Sequence, residues 1–241
     1  MNNHALVVVD MLYDFIDGSL ACQNAESAVA QTVKYIARQT KGMGGEEHEI
    51  LDTFPILFIR DHHPADHSSF NEQGGIWPPH CVAGTHGGEI HEDLLPYVNE
   101  ELTFDKGCDK AVEQYSGFEG VNEAGQSLGE ILELLDTTDV YVCGIAAEYC
   151  VRNTCEDLLK AGFKVHLLKD CIAYVDHDGH LKALKEMEEQ GIIGCPIVGD
   201  TKYNKSLTGQ KGWQEIALCA YKLDFTHPKT RKNMHFEIDE I

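Results

Sequence analysis

Short apolar runs, most of which end in a charged residue, recur along this chain, and segments with helical spacing separate them. The runs are ALVVVD (5–10), ILFIRD (56–61), LTFDK (102–106), DVYVCG (139–144), KVHLLKD (164–170) and GCPIVG (194–199). Because they are short and rich in β-branched residues, they predict buried strands. Helices are predicted at 26–38, 128–135, 151–159 and 179–190. Strands alternating with helices indicate βαβ units, and hence a three-layer α/β/α fold with a mainly parallel central sheet.

Several side chains suited to chemistry stand where these predicted strands end. Asp10, Asp61 and Lys106 each close a strand, and a turn follows the strand that contains Cys143. Parallel sheets bind ligands outside the carboxyl ends of their strands. We therefore expect these side chains to line one shared cleft.

The charge balance, the apolar runs and the cysteines argue against nucleic-acid-binding, membrane-spanning and secreted proteins. Lys and Arg total 19 against 40 Asp and Glu, a formal charge of −21, so a nucleic-acid partner is not expected. No apolar run is long enough for a membrane helix, and the start of the chain does not resemble a signal peptide. The nine cysteines are odd in number and form no CxxC pair, which predicts reduced thiols in a cytoplasmic protein.

The length of 241 residues suits one large domain with an appendage. We assign residues 1–199 to the α/β domain. Residues 200–241, which mix lysines with aromatics and end in FEIDEI, are interpreted as a C-terminal extension. We expect this extension to pack on the domain or to lie at an interface.

One loop concentrates residues that bind metals. The segment RDHHPADHSSFNEQGGIWPPHC (60–81) holds four histidines and two aspartates. Asp61 and His63 are two residues apart at a strand end, so in extended chain both side chains point the same way. His67 and His80 follow in the loop. One carboxylate and two or three imidazoles suit zinc, iron or manganese, although a polar surface loop with adventitious histidines has the same spacing.

A second segment, CGIAAEYCVRNT (143–154), indicates a reactive thiol. A strand ends, a turn follows, and a helix begins near Cys150. A thiol at a helix N-terminus is favoured as thiolate, and backbone N–H groups there can bind an oxyanion. Asp10 is the candidate base, and Lys106 is the candidate cation. Each residue alone also has an ordinary structural interpretation: Cys150 as a buried structural cysteine, Asp10 as a capping residue and Lys106 as a solvated lysine. The hypothesis therefore depends on the joint placement of all three.

These segments together resemble a known family. The chain is similar to the nicotinamidase branch of the isochorismatase-like cysteine hydrolases, whose members are also called pyrazinamidases. The matching motifs, in family order over residues 5–198, are VVVDMLYDF, RDHHPADHSSF, WPPHCVAGT, FDKG, YSGFEG and CGIAAEYCVRNT. WPPHCV together with D-x-H is the most specific part of the match.

The resemblance implies a set of reacting residues. It implies a catalytic triad of Asp10, Lys106 and Cys150. It also implies a cis peptide between Ile145 and Ala146 and an oxyanion hole formed by the amides of Ala146 and Cys150. The implied reaction is hydrolysis of nicotinamide, and of pyrazinamide, to nicotinate and ammonia through a thioester, as part of NAD salvage.

The resemblance also implies how the substrate and a cofactor are held. One divalent metal ion is expected, with zinc preferred and iron or manganese as alternatives. The implied metal ligands are Asp61, His63 and His80, with His67 as a further candidate. The implied ring-binding side chains are Phe15, Trp77, Tyr115 and Tyr149. The expected partner is thus a small molecule, with no membrane and no nucleic acid, and the family resemblance allows a homo-oligomer.

Five positions depart from the family pattern. Leu12 replaces a usual Gln, Tyr149 a usual His, Ala147 and Glu148 a usual Thr and Asp, and His62 a usual Trp or Phe. They leave substrate preference open, so a superfamily hydrolase for another amide, carbamoyl or ureide substrate is the main alternative. A non-enzymatic domain that binds a metal or a partner is a second alternative. No G-x-G-x-x-G follows a strand, so a dinucleotide site is not expected.

Overall fold

A computed structural model describes residues 3–40, 54–195, 222–226 and 233–237, the last two ranges as backbone only. The chain divides into two compact units, Met1–Cys195 and Pro196–Ile241. The segment GMGGEEHE (42–49), whose composition predicts an exposed acidic loop, lies outside the described residues.

A six-stranded parallel sheet forms the first unit. Its strands are β1 His4–Val9, β2 Ile56–Asp61, β3 Thr103–Lys106, β4 Asp139–Gly144, β5 Lys164–Ile172 and β6 Ile193–Cys195. Their order is β3-β2-β1-β4-β5-β6, and every neighbouring pair is parallel. The predicted α/β fold is therefore confirmed. The last predicted strand is seen as far as Cys195, and the rest of it lies outside the described residues.

Within the described residues, five α-helices accompany this sheet. They are α1 Tyr13–Ile16, α2 Ala25–Thr40, α3 Leu128–Leu134, α4 Arg152–Lys160 and α5 His177–Glu189. Sequence analysis missed only α1, whose four residues are too few to show a helical period. Among the described helices, none combines the length and apolarity needed to cross a membrane.

The helix α3 starts with a capping box. The Ser127 hydroxyl accepts from the Glu130 amide at 3.2 Å, and the Glu130 carboxylate accepts from the Ser127 amide at 2.7 Å. The surrounding GQSLG (125–129) matches the G-x-S-x-G pattern of serine hydrolases. Because this serine is committed to a helix cap and no strand leads directly into the turn, the match reflects capping and not a nucleophile.

The sheet is covered on both faces. Alternate β1 side chains such as Leu6 and Val7 point to opposite faces, and both are fully buried. On one face the core joins the sheet to α3, α4 and α5. On the other face α2 packs, and its Tyr35 ring lies 6.2 Å from the ring of Tyr141 on β4. This double cover explains why the strands read as nearly continuous apolar runs.

The strand order places the ends of β1 and β4 at the point where the chain changes the side of the sheet to which it adds strands. From β1 the chain proceeds to β2 and β3 on one side, and β4, β5 and β6 fill the other side. In open parallel sheets, a crevice forms at this point above the carboxyl ends of the strands. Asp10 follows β1 there, and Asp61 and Lys106 are the last residues of β2 and β3.

The second unit contains an antiparallel pair of strands, β7 Lys222–Thr226 and β8 Asn233–Glu237. Its register pairs Lys222 with Glu237 and Thr226 with Asn233. Sequence analysis predicted no strands in this part of the chain. Packing of the extension on the domain, or at an interface, stays a prediction.

Candidate active site

The structure brings Asp10, Lys106 and Cys150 into one buried cluster. The ammonium Nζ of Lys106 lies 3.0 Å from Asp10 Oδ2 and 3.5 Å from Cys150 Sγ. It also hydrogen-bonds to the Asp61 carboxylate. At most 6% of any of these four residues is exposed. The backbone of Asp10 is left-handed, with φ of 48°, which turns the chain out of β1 directly above the sheet edge.

Burial and charge set the protonation states of this cluster. Burial raises the pKa of Asp10 to about 7, against the opposing charge of Lys106. Burial would lower the pKa of Lys106, but Asp10 and Asp61 outweigh it and raise that pKa well above its usual range. Burial raises the pKa of the Cys150 thiol well above its usual range, although Lys106 lowers it.

The raised pKa favours the thiol form of Cys150, whereas a position at a helix end favours the thiolate. Burying an anion beside two carboxylates is costly, and this cost opposes the effect of the helix end. A thiol of this kind needs a base at the moment of reaction. Asp10, whose pKa is near neutrality, is the nearby group that can accept its proton.

Cys150 lies in a wide π-helical turn, Ala147–Val151, that leads into α4. Turns of this kind are frequent at functional sites. The Ala147 amide donates to the Ala173 carbonyl at 2.8 Å, whereas the Ala146 amide has no backbone partner among the described residues. The Ile145–Ala146 peptide is cis, as the resemblance implies.

A carboxylate and two imidazoles lie directly beside this cluster. Ligand atoms of Asp61, His63 and His80 all fall within 4.8 Å of one another, and all three residues are buried. The Nδ1 atom of His63 donates to the Gly107 carbonyl at 3.0 Å, and that of His80 donates to the Pro78 carbonyl at 2.7 Å. These bonds leave each Nε2 with a free lone pair, which is how metal-binding histidines are usually held.

The charge states of Asp61 and His80 also suit a cation, whereas burial would lower the pKa of His63 but the Asp61 carboxylate outweighs it and raises that pKa. Burial would raise the pKa of Asp61, but the charge of Lys106 outweighs it, so the pKa is lowered. Burial lowers the pKa of His80. An ionised carboxylate and a neutral imidazole are the forms that bind zinc, iron or manganese. The donor set therefore fits one divalent ion.

The other two histidines of the loop do not join this group. His67 Nδ1 lies 2.7 Å from Ser69 Oγ, and its Nε2 lies 3.2 Å from the Val112 carbonyl. Its ring packs on that of His63, with centroids 4.2 Å apart. To bind a metal, His67 would have to release the carbonyl of Val112. His62 Nδ1 lies 3.8 Å from Asp105 Oδ2 and outside this group, as expected for the residue between Asp61 and His63 in an extended segment.

A cavity of about 360 Å³, including the solvent at its mouth, opens above the thiol. That volume suits a small ligand. All four predicted ring-binding aromatics line it, together with Asp61, His80, Ala146 and Cys150. The Trp77 indole donates to the Tyr115 hydroxyl at 3.2 Å, and the Tyr149 ring lies 5.2 Å from Trp77 and 5.5 Å from Tyr115. Trp77, Tyr115 and Tyr149 thus form a connected aromatic wall.

Sequence analysis missed three lining residues, Leu20, Glu113 and Val175. Each comes from a loop with no regular period, so only the proximity of Leu20 to Phe15 and of Glu113 to Tyr115 could have indicated them. Leu12, in contrast, does not line the cavity. It is fully buried and pairs with Ile90.

Glu148, noted above as a departure, supports the turn that carries the thiol. Its Oε1 atom accepts from the amides of Val175 and Asp176 at 2.9 and 2.7 Å. The carboxylate therefore ties the π-helical turn to the loop after β5. Because Val175 lines the cavity, this contact also helps to shape the site.

We expect Gly107→Ala to weaken metal binding at least about tenfold, as loss of outer contacts to a ligand usually does. Gly107 has φ of +67°, and an added Cβ would lie 2.4 Å from His63 Cε1. The new methyl group would push that imidazole away from Asp61. Competition with a chromophoric chelator for zinc measures the affinity.

Gly125→Ala is the matched control for this substitution. Its φ is +76°, but an added Cβ would meet nothing within 4 Å. It therefore carries similar backbone strain without contact to the site, and zinc affinity should be unchanged. Equal zinc affinities in the two variants would contradict the role given to the close approach at His63.

The sequence and the fold were compared with known proteins. Residues 4–195 match the Isochorismatase domain family. The chain is 34% identical over 192 residues to the nicotinamidase/pyrazinamidase of Mycobacterium tuberculosis, covering 78% of this chain and 96% of that protein. It is similar to the pyrazinamidase of Pyrococcus horikoshii in complex with zinc, with 35% identity, a TM-score of 0.67, and 80% and 98% of the two chains covered. It is also similar to PnC1 from L. infantum in complex with nicotinate, with 30% identity, a TM-score of 0.67, and 80% and 92% covered.

Proposed function

The chain belongs to the Isochorismatase domain family, and from that premise we propose that it is a metal-dependent cysteine amidohydrolase. Its proposed substrates are nicotinamide and pyrazinamide, and its products are the ring carboxylate and ammonia. The observation that carries this proposal is the buried contact of Lys106 with Asp10 and Cys150, directly beside a metal-type ligand set and below an aromatic cavity. Relatives named for these two substrates support it.

We propose Asp61, His63 and His80 as the residues that hold the ion, with zinc preferred because a similar pyrazinamidase was solved with it. When bound, the ion supplies a Lewis-acid contact for the pyridine nitrogen. The chain itself supplies the remaining contacts. Phe15, Trp77, Tyr115 and Tyr149 clamp the ring and orient its carboxamide toward the thiol.

In the first half of the reaction, Asp10 accepts the proton of the Cys150 thiol as the sulfur attacks the carboxamide carbon. The amides of Ala146 and Cys150 donate to the developing oxyanion. Asp10 then returns the proton to the amide nitrogen, the C–N bond breaks and ammonia leaves. Lys106 remains protonated throughout and stabilises the negative charge that passes between its neighbours.

In the second half, water replaces ammonia. Asp10 takes a proton from the water as its oxygen attacks the thioester carbon, again with the oxyanion on the same two amides. The C–S bond breaks, and the sulfur of Cys150 recovers its proton from Asp10. The ring carboxylate then leaves. This reaction would place the protein in NAD salvage.

The pH profile should report the protonation of Asp10. Its carboxylate must be ionised to act as a base, so kcat/KM should fall as the pH drops below about 7, the pKa that burial gives it. An unperturbed aspartate would place that limb near pH 4. Initial rates in zinc-loaded samples between about pH 5 and 8 measure it. A rate that stays constant across that range would contradict Asp10 as the base.

A substrate comparison tests the proposal against another superfamily activity. Tyr149 motivates that alternative because it lines the cavity and departs from the family pattern. Benzamide has the ring and carboxamide of nicotinamide but lacks the pyridine nitrogen. We expect its kcat/KM to be at least about 100-fold lower, because the site is then left with an unpaired polar group. Faster turnover of a carbamoyl or ureide substrate than of nicotinamide would favour the alternative.

A further inference from the structure

A small polar contact joins the first motif of the chain to the loop that carries His80. Asp14 Oδ2 accepts from the Cys81 amide at 2.7 Å, and its Oδ1 accepts from the Ser19 amide at 3.1 Å. The Ser19 hydroxyl in turn donates to the Pro79 carbonyl at 2.7 Å. We call Asp14, Ser19, Pro79 and Cys81 the Asp14 clasp.

The backbone that the clasp holds is strained. Cys81 follows His80 directly, is fully buried and has φ of 48°, in the left-handed region that non-glycine residues seldom adopt. Its amide is bound by Asp14, and its carbonyl accepts from the His63 amide at 3.1 Å. Two fixed neighbours thus hold this conformation, and a carboxylate is the stronger kind of acceptor for the amide.

The carboxylate itself has little room to move. A Cβ built on Gly87 would lie 2.0 Å from Asp14 Oδ2 and 2.3 Å from its Cγ. Gly87 belongs to the short turn His86–Gly88, which follows the loop of His80. The absence of a side chain at this position is therefore what allows the carboxylate to reach the Cys81 amide.

His80 depends on such support more than the other two ligand candidates do. Asp61 ends β2 and His63 is two residues further on, so the sheet places both. His80 lies in a loop with no regular element around it. Its ring contacts Phe15, 5.4 Å away between centroids, and Phe15 neighbours Asp14 on α1. One short helix thus holds both the ring and the following amide.

We propose that Asp14 is a positioning residue for the metal group. Acting through the Cys81 amide, it holds His80 where its Nε2 can share an ion with Asp61 and His63. This inference rests on the metal site of the proposed function. It assigns Asp14 no contact with the substrate and no step in the reaction.

Zinc affinity of the full-length protein tests the inference. In Asp14→Asn, one oxygen that accepts an amide N–H is exchanged for an NH₂ group, with almost no change of shape. We expect the dissociation constant for zinc, measured on the metal-free protein by chelator competition, to rise at least about tenfold. At saturating zinc, kcat should recover most of the way, because Asp14 does not touch the reacting atoms.

Asp139→Asn is the matched control. Asp139 accepts from Lys164 and His166 at 2.9 and 2.7 Å, at the opposite ends of β4 and β5 from the site. The substitution Asp139→Asn removes a comparable set of charge-assisted hydrogen bonds, so it shows how a loss of stability alone affects zinc affinity. Its zinc affinity should match that of the unsubstituted protein. Equal loss in both variants would overturn the inference.

Gly87→Ala gives a second route to the same carboxylate if Asp14→Asn does not fold. The new methyl group would displace the Asp14 carboxylate, so zinc affinity should again fall about tenfold. Unchanged zinc affinity in Asp14→Asn would overturn the role of Asp14. If Asp14→Asn does not fold, unchanged zinc affinity in Gly87→Ala would overturn it. Failure of the unsubstituted protein to bind zinc would instead overturn the metal site and the proposed function with it.

Discussion

Replacing Cys150 with alanine is expected to lower kcat for nicotinamide by at least about 10⁴-fold, as removal of other catalytic nucleophiles does. The thiol is the group from which the proposed thioester is built, and no water or neighbouring side chain can take its place in that bond. The aromatic wall and the ligand set remain, so substrate binding should persist. Ammonia release and calorimetric binding of nicotinamide measure the two effects separately.

Cys155→Ala is the control for this substitution. Cys155 is fully buried in α4, and burial raises its pKa in the same way. It lies outside the cavity lining and has no part in the proposed reaction, so its variant should retain activity within a few-fold. Full activity in Cys150→Ala would contradict the thioester route.

Replacing Lys106 with methionine should destabilise the fold by about 3–5 kcal/mol, the usual result of removing one partner from a buried ion pair. Lys106 is 1% exposed and neutralises Asp10 and Asp61, which are themselves buried. Without it, two carboxylates face each other with no cation. Turnover should also be lost, since the charge that stabilises the sulfur and the oxyanion is gone. Urea unfolding measures the stability.

The pH dependence of the unfolding free energy identifies the cause of the lost stability. Without Lys106, the folded-state pKa of Asp61 rises from below its usual range to above the unfolded value near 4, and the pKa of Asp10, already raised to about 7, rises further. The folded variant then binds more protons than the unfolded chain, so its stability falls as pH rises through that window. The difference from the unsubstituted protein should therefore shrink at about pH 4 and grow toward pH 7.

Lys164→Met is the matched control for Lys106→Met. Lys164 pairs with Asp139 at 2.9 Å but is more than half exposed, so solvent already screens its charge. The destabilisation in Lys164→Met should be much smaller than that in Lys106→Met at every pH. Equal destabilisation in the two lysine variants would contradict the role of Lys106 as the cation that neutralises the buried carboxylates.

The strand ends explain why so much of this site could be predicted. Asp61 and Lys106 are placed by β2 and β3, and a parallel sheet brings such ends to one edge whatever the loops do. The apolar runs of these strands are visible in the sequence because both faces of the sheet are covered. Fold and edge residues therefore follow from local patterns.

What could not be predicted depends on loops and on burial. The loop pattern leaves His67 equivalent to His80, yet Ser69 and Val112 occupy the nitrogens of His67 in the structure. A helix end suggests a thiolate at Cys150, but the cost of desolvation is invisible in a linear sequence. Contacts between distant parts of the chain, such as that of Asp14 on α1 with Cys81, leave no periodic pattern in the sequence.

The most direct test of the account is the release of ammonia and nicotinate from nicotinamide by the purified, zinc-loaded protein, beside a chelated sample. The account predicts equal amounts of the two products and loss of both after chelation. Absence of release from the zinc-loaded protein would contradict nicotinamide hydrolysis, and it would transfer the assignment to another amide, carbamoyl or ureide substrate.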